Sequence, residues 1–368
     1  MEENISSALI QVGAKEISCR KSIFLYPITP AVFVKGANNY IIKLIDCLNE
    51  DFTVINKQTR LGIFDLLRKL PKCNIVYFNW IEDIADKRLG YIQIPVLLFI
   101  LICCKIFNIK IAWFIHNDIS HTKKNWFAKK MIKGMMRMFA DVAFTHSSQL
   151  PLLEKMPEIR IFEHPIEDTS FVKHPSTPLY DVLVWGAVSP YKGILEFTEF
   201  NHLSNKLDSL KILIAGKFSS PDFYNNILRY QKQNLELRNK MVEEDELIDL
   251  FAKSRYILFC YRSASVLSSA ALCKSLSYGK TIIGPNIGAF KELGKKGLIY
   301  TYDTFEDLAD LLVQLKASGN YIDQQLIKQY IRNTSWTHFK NFLVTNLNDT
   351  EQVDLELSPS PAFHSTVN

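Results

Sequence analysis

An alternation constrains this chain more than any other feature. Short runs rich in β-branched and aromatic residues recur, each followed by a longer segment with helical spacing, the pattern of parallel βα units. Six such runs fall in the first half: SIFLYPI (22–28), FTVIN (52–56), NIVYFNW (74–80), IKIAWFIH (109–116), DVAFTHS (141–147) and IRIFEHP (159–165). A polar, Pro-bearing stretch, PIEDTSFVKHPSTPLY, breaks the pattern and reads as a linker. The alternation restarts with YDVLVWG (180–186), LKILIAG (210–216), LELRNKMV (235–242), RYILFCY (255–261), KTIIGP (280–285) and GLIYTY (297–302). The expected fold is therefore α/β, with two Rossmann-like domains facing each other across a cleft. Residues 1–167 form the first domain and 168–325 the second. A helix over 326–347 crosses between them and 348–368 is a flexible tail. Ligands of open parallel sheets bind at the carboxyl ends of the strands, which places the chemistry in the cleft.

Composition narrows the class. At 368 residues the chain exceeds one domain of about 150 residues, and 48% hydrophobic against 22% charged residues supports sizeable cores. A net charge of +5 is too modest to argue for nucleic acid, and no zinc spacing or recognition-helix pattern accompanies it. Seven cysteines form no CxxC pair, which fits a reduced cytoplasmic setting without a structural metal. The first twenty residues lack an apolar centre and so do not read as a secretory signal. The greasiest run, IPVLLFILICC (94–104), is too short for a span of roughly 20 residues and predicts a buried helix.

Two stretches of the second half carry anion-binding chemistry. In VWGAVSPYKGILEF, Gly186, Lys192 and Gly193 place a lysine beside a glycine turn at a helix start, where backbone N–H groups and an ammonium face the same anion. In YRSASVLSSAALCKSLSYGKTIIGP, Ser268 and Ser269 open a helix almost devoid of acid. The plain alternatives are a solvated Lys192 and serines that only cap the helix. In the first half, FIHNDISH ends a strand in His116, followed by Asp118 and His121. A histidine at a strand's carboxyl end can bond a sugar hydroxyl or, when neutral, accept a proton; the alternative is a strand-end residue tied to backbone. His146 and His164 also end strands and read as shaping the cleft.

The order of these units resembles the GT-B glycosyltransferases, especially bacterial ones that build capsule, exopolysaccharide or O-antigen from nucleotide sugars. The resemblance covers about residues 22–345 in pattern. It implies a second domain that holds a nucleoside diphosphate sugar on Gly186, Lys192, Gly193, Ser268 and Ser269, without a cofactor or a metal ion. It implies an acceptor side in the first domain, where Lys35, Gly36, Asn38 and His121 contact donor or acceptor and His116 or Asp118 serves as base. YFNWIED is similar to a His-bearing strand end in relatives, with Asn79 in place of a histidine. Many retaining members carry a Glu-x7-Glu pair; Val266 and Lys274 stand in those positions, so stereochemistry stays open and Lys274 either contacts donor or acceptor or points to solvent.

The expected partners are a nucleotide sugar and a saccharide acceptor, free or polyprenyl-diphosphate-linked. HTKKNWFAKKMIKGMMRMF (121–139) interleaves basic and apolar residues, which suits either the inner face of the plasma membrane or packing on the protein's own sheet. The competing functions are a nucleotide-sugar epimerase or hydrolase on the same fold, and a non-catalytic scaffold subunit.

Overall fold

The computed structural model describes residues 20–28, 40–56, 60–116, 125–148, 150–154, 156, 158–262 and 269–348. The first half runs β1 (Ser22–Tyr26), α1 (Tyr40–Asn49), β2 (Thr53–Val54), α2 (Phe64–Lys69), β3 (Ile75–Asn79), α3 (Gly90–Ile106), β4 (Lys110–Ile115), α4 (Trp126–Phe139), β5 (Val142–Thr145) and β6 (Arg160–Ile161). Its sheet is parallel throughout, in the order β2-β1-β3-β4-β5-β6. The strands are apolar on both faces because both are covered. Phe24, Val76, Ile111 and Trp113 meet α2, α3 and α4 on one side. Leu25, Tyr77, Phe114 and Phe144 meet α1 on the other.

The second half repeats the plan with β7 (Tyr180–Trp185), α5 (Ile194–Leu203), β8 (Ile212–Ala215), α6 (Pro221–Leu228), β9 (Leu235–Arg238), α7 (Glu244–Lys253), β10 (Ser254–Leu258), α8 (Ala270–Ser277), β11 (Ile282–Pro285), α9 (Gly288–Lys295), β12 (Tyr300–Tyr302) and α10 (Phe305–Ser318). Its parallel order is β12-β11-β10-β7-β8-β9. Lys280, fully buried just before β11, donates to the carbonyls of Phe251 and Ser254 at 2.8 and 3.0 Å, and so closes the end of α7 onto β10.

The segment read as one helix over 326–347 is two: α11 (Gln324–Asn333) and α12 (Trp336–Leu347). The break comes at Thr334 and Ser335, where the Ser335 hydroxyl accepts from the His338 N–H and caps α12. Ile327 and Ile331 of α11 belong to the second domain's core. Phe339, Leu343 and Leu347 of α12 lie in the first domain's core beside α1. The chain therefore crosses between domains twice, and the crossings touch: Ile166 N donates to Thr334 O at 3.0 Å, and Ile166 bridges Ser335 in parallel register.

Two expectations need correction. The run 94–104 is helical within α3, but only one side is buried; Ile92, Leu98, Phe99, Ile102 and Ile106 are exposed. In the basic run 121–139, Lys129 does not face solvent. It is buried and pairs with Asp86 at 2.5 Å, while Ala128, Ile132 and Met136 pack on the sheet. Among the described residues, no helix is long and apolar enough to cross a membrane.

Candidate active site

The first domain's wall of the cleft is aromatic. His116 directly follows β4, is 5% exposed, and lies with Nε2 2.9 Å from Asn79 Oδ1. Asn79 Nδ2 donates to the Tyr26 carbonyl at 3.5 Å, which turns its oxygen to the histidine. Nε2 of His116 is then the donor, and the lone pair falls on Nδ1. Trp80 stacks on the ring, 3.9 Å between centroids at 15°. It does so from a left-handed backbone, φ 44°, a conformation that costs a bulky residue about 1 kcal/mol or more. Burial pushes the His116 pKa well below 6.5, so the ring is neutral.

Tyr40, at the start of α1, is the hub of this wall. Its ring lies 5.1 Å from His116 and 5.6 Å from both His146 and His164. His146 has both nitrogens committed: Nδ1 donates to Phe162 O at 2.8 Å, and Nε2 accepts from the Tyr40 hydroxyl at 3.1 Å. His164 Nδ1 donates to Pro165 O at 3.0 Å, and burial pushes its pKa down to about 4. His146 thus orients the wall, whereas His116 retains a ring nitrogen suited to a proton.

The second domain's wall is cationic. Gly186 leaves β7 with φ 95°, and Lys192 ends a single 3-10 turn at 190–192. A Cβ added to Gly186 would stand 3.6 Å from Lys192 Nζ and 4.0 Å from Ala271 Cβ, so ammonium, glycine loop and the first turn of α8 converge. Gly193 is fixed by space as well as by φ 69°, since a Cβ there would lie 2.0 Å from the Cys260 carbonyl oxygen. Lys192 is 8% exposed, and its pKa falls to about 8 because burial penalises the charge. No carboxylate pairs with it among the described residues; its ammonium lies 5.9 Å over the Tyr261 ring. Ser269 caps α8 by accepting from Leu272 N at 3.4 Å and contacts the Tyr261 hydroxyl at 3.2 Å. The start of α8, without acidic residues in its first turn, thus lies beside a desolvated ammonium that has no carboxylate partner among the described residues.

The walls meet at a small cavity of about 30 Å³, room for a water, lined by His146, Glu163, His164, Ser269, Cys273 and Glu292 among others. Around it the domains are tied polar to polar. The hydroxyls of Ser147 and Ser148 donate to Glu292 Oε1, Lys296 pairs with Glu163, and Lys43 of α1 pairs with Glu167 beside the first crossing. Lys274 lies on this seam too. Its Nζ is 2.7 Å from Glu244 Oε1 of α7, and both groups bear on Lys43, whose pKa burial lowers first and Lys274 second.

The structure thus brings Gly186, Lys192, Gly193 and Ser269 together on one wall and places His116 on the other. Lys35, Gly36, Asn38, Asp118, His121 and Ser268 lie outside the described residues, as does Val266. Sequence reasoning missed Tyr40, Trp80 and Tyr261. Trp80 had one signal, a large aromatic residue immediately after a strand end; the other two read as core.

Two six-stranded parallel sheets, each covered by helices, make this a GT-B fold. Over 89% of this chain and 98% of the other, it is similar to a glycosyltransferase from Rickettsia africae, with 14% identity and a TM-score of 0.59. It is similar to HepE of Anabaena in complex with UDP (12% identity, TM-score 0.62, 90% and 100% covered). The UDP-forming α,α-trehalose-phosphate synthase of Burkholderia vietnamiensis shares the fold at 8% identity, with TM-score 0.59 and 90% and 99% covered. No protein-family model and no curated protein matches the sequence.

Proposed function

We propose that this protein is a glycosyltransferase that moves a sugar from a nucleoside diphosphate sugar to a hydroxyl of a lipid-linked saccharide, in the building of a surface polysaccharide. The observation that carries the proposal is the buried Lys192 ammonium, without a carboxylate partner among the described residues, beside the start of α8. That pair suits a diphosphate in the substrate and suits it better in the transition state, when the bridging oxygen gains charge as the sugar departs. A HepE structure holds UDP-glucose, which supports a nucleotide sugar as donor. With Lys192 and the helix dipole meeting the leaving group, no metal ion is required in this scheme.

In the transfer, the acceptor oxygen bonds to the anomeric carbon while the bond from that carbon to the diphosphate breaks, its electron pair leaving with the phosphate. In an inverting reaction the acceptor's proton passes to a base, and neutral His116 through Nδ1, or Asp118, takes it. In a retaining reaction the departing diphosphate takes it. The test is a panel of nucleotide sugars read by thermal stabilisation, followed by anomeric analysis of the product. Stabilisation by a nucleoside diphosphate and its sugar, with turnover only when a saccharide acceptor is added, is expected. Turnover of the donor alone would instead indicate hydrolysis or epimerisation, and a folded protein that no nucleotide stabilises would indicate a scaffold.

A further inference from the structure

A helix that is apolar all round belongs in an interior. α3 is such a helix over most of its length, yet one side of it is exposed. Ile92, Phe99, Ile102 and Ile106 recur at helical spacing along that side, with Phe99 55% and Ile106 70% exposed. The neighbouring α4 extends the surface through Trp126, Phe127, Met131 and Met138, the first two 66% and 69% exposed. A continuous greasy surface of this kind on a folded domain marks something that covers it.

The border of the surface says what. Exposed Lys130 and Arg137 stand on α4, Arg68 and Lys69 on α2, and Lys87 with Arg88 just ahead of α3. Acids of the same layer are engaged or buried: Asp86 with Lys129, Asp141 with Lys105, Asp65 with the Leu61 N–H, and Glu82 buried beneath the surface. A second copy of the chain is disfavoured by this border. A two-fold contact places identical patches against each other, and the like charges would meet. An apolar stripe with tryptophan at its edge and lysine and arginine along its flanks matches the headgroup boundary of an anionic bilayer.

We propose that the outer face of the α2–α3–α4 layer docks on an anionic lipid surface, with α3 lying in the plane of the boundary rather than spanning it. The sequence offered residues 121–139 as either a membrane anchor or a helix packed on its own sheet. Here α3 supplies the apolar contact, and α4 and α2 supply the charge. Nothing in this inference depends on the donor reading, since the docking face lies on the outer side of the first domain.

The test is flotation of the full chain with vesicles of phosphatidylcholine and with vesicles containing equal parts phosphatidylcholine and phosphatidylglycerol, at low and high salt. The protein is expected to float with the phosphatidylglycerol vesicles and to be weakened by salt. Phe99→Glu with Ile102→Glu should lower binding by about tenfold or more. Lys130→Glu with Arg137→Glu should lower it only on anionic vesicles, and Leu203→Glu, exposed on α5 of the other domain, should change nothing. Wild-type protein that stays unbound, or an apolar double variant that floats as well as wild type, overturns the proposal. So does a wild-type dimer that Phe99→Glu dissociates while no vesicle is bound. Should the apolar variant melt early by circular dichroism, the charge pair carries the test, and equal flotation of it and wild type on anionic vesicles would be decisive against.

Discussion

Acidification should destabilise this protein through the aromatic wall, and His116→Gln should measurably relieve it. His116 and His146 are 5% and 3% exposed, and burial holds both well below 6.5. The folded pKa is depressed and the ionised form is the protonated one, so the unfolded chain binds the extra proton. Stability is therefore full above about pH 6.5 and falls as the pH drops below it. Between pH 6 and pH 5 an unfolded histidine with a pKa of about 6.5 is mostly protonated, whereas burial disfavours the proton on the folded ring. The unfolding free energy therefore falls with pH in this window, by at most about 1 kcal/mol per pH unit for one ring. His146 and His164, buried beside it, steepen the slope in the same direction. Gln at 116 keeps a donor for Asn79 Oδ1 and cannot titrate, so its slope should be shallower, by up to about 1 kcal/mol per unit. Urea unfolding at fixed temperature and stepped pH measures both. Identical slopes would mean that His116 is already protonated or hydrated in the folded state, and its role as a neutral base would fall with that result.

Further outcomes are expected at the cationic wall and in the rate. Lys192→Met should weaken binding of a nucleoside diphosphate by about 1.5 to 3 kcal/mol, roughly 10- to 150-fold, while the melting temperature without ligand holds or rises; unchanged affinity in titration calorimetry removes Lys192 from the site. Gly193→Ala, forced against Cys260 O from a positive φ, should lower both the melting temperature and nucleotide affinity. Ser269→Ala should cost about 1 kcal/mol of stability as a lost helix cap, read by urea unfolding, and Ser269→Gly only a few tenths. If His116 is the base, the acid limb of turnover should lie below pH 6.5, because burial keeps the ring neutral to lower pH; a limb at or above that pH assigns the proton elsewhere.

The strands were legible because parallel sheets covered on both faces leave short, uniformly apolar runs, and LKILIAG or NIVYFNW can hardly form anything else. Lys192 was legible as a lysine between Pro190 and Gly193, where a turn must precede a helix. Its burial was not, since that comes from Tyr261 and α8, some 70 residues downstream. α3 shows the converse failure. When every side of a helix is apolar, its sequence cannot say which side meets the sheet, so IPVLLFILICC disclosed a helix and concealed an open face. The break at Thr334 and Ser335 was equally hidden, because amphipathic spacing continues through Ser335, a residue that ends one helix only by capping the next. Tyr40 looked like the first core residue of a helix; three histidines from separate strands and loops make it a hub, and no local window contains them.

The two chain crossings have a mechanical consequence. Domains joined by one strand of backbone can swing and twist about a tether, but here Ile166 and Thr334 hold both crossings side by side by a hydrogen bond. Two parallel leaves pinned together act like a door hinge: they turn about the line between them and resist torsion. The first residues past that pin are Glu167, paired with Lys43, and α12, seated on α1. Both contacts lie on the first domain's side of the pin, so opening the walls would carry the histidine wall along as one piece with α1 and α12.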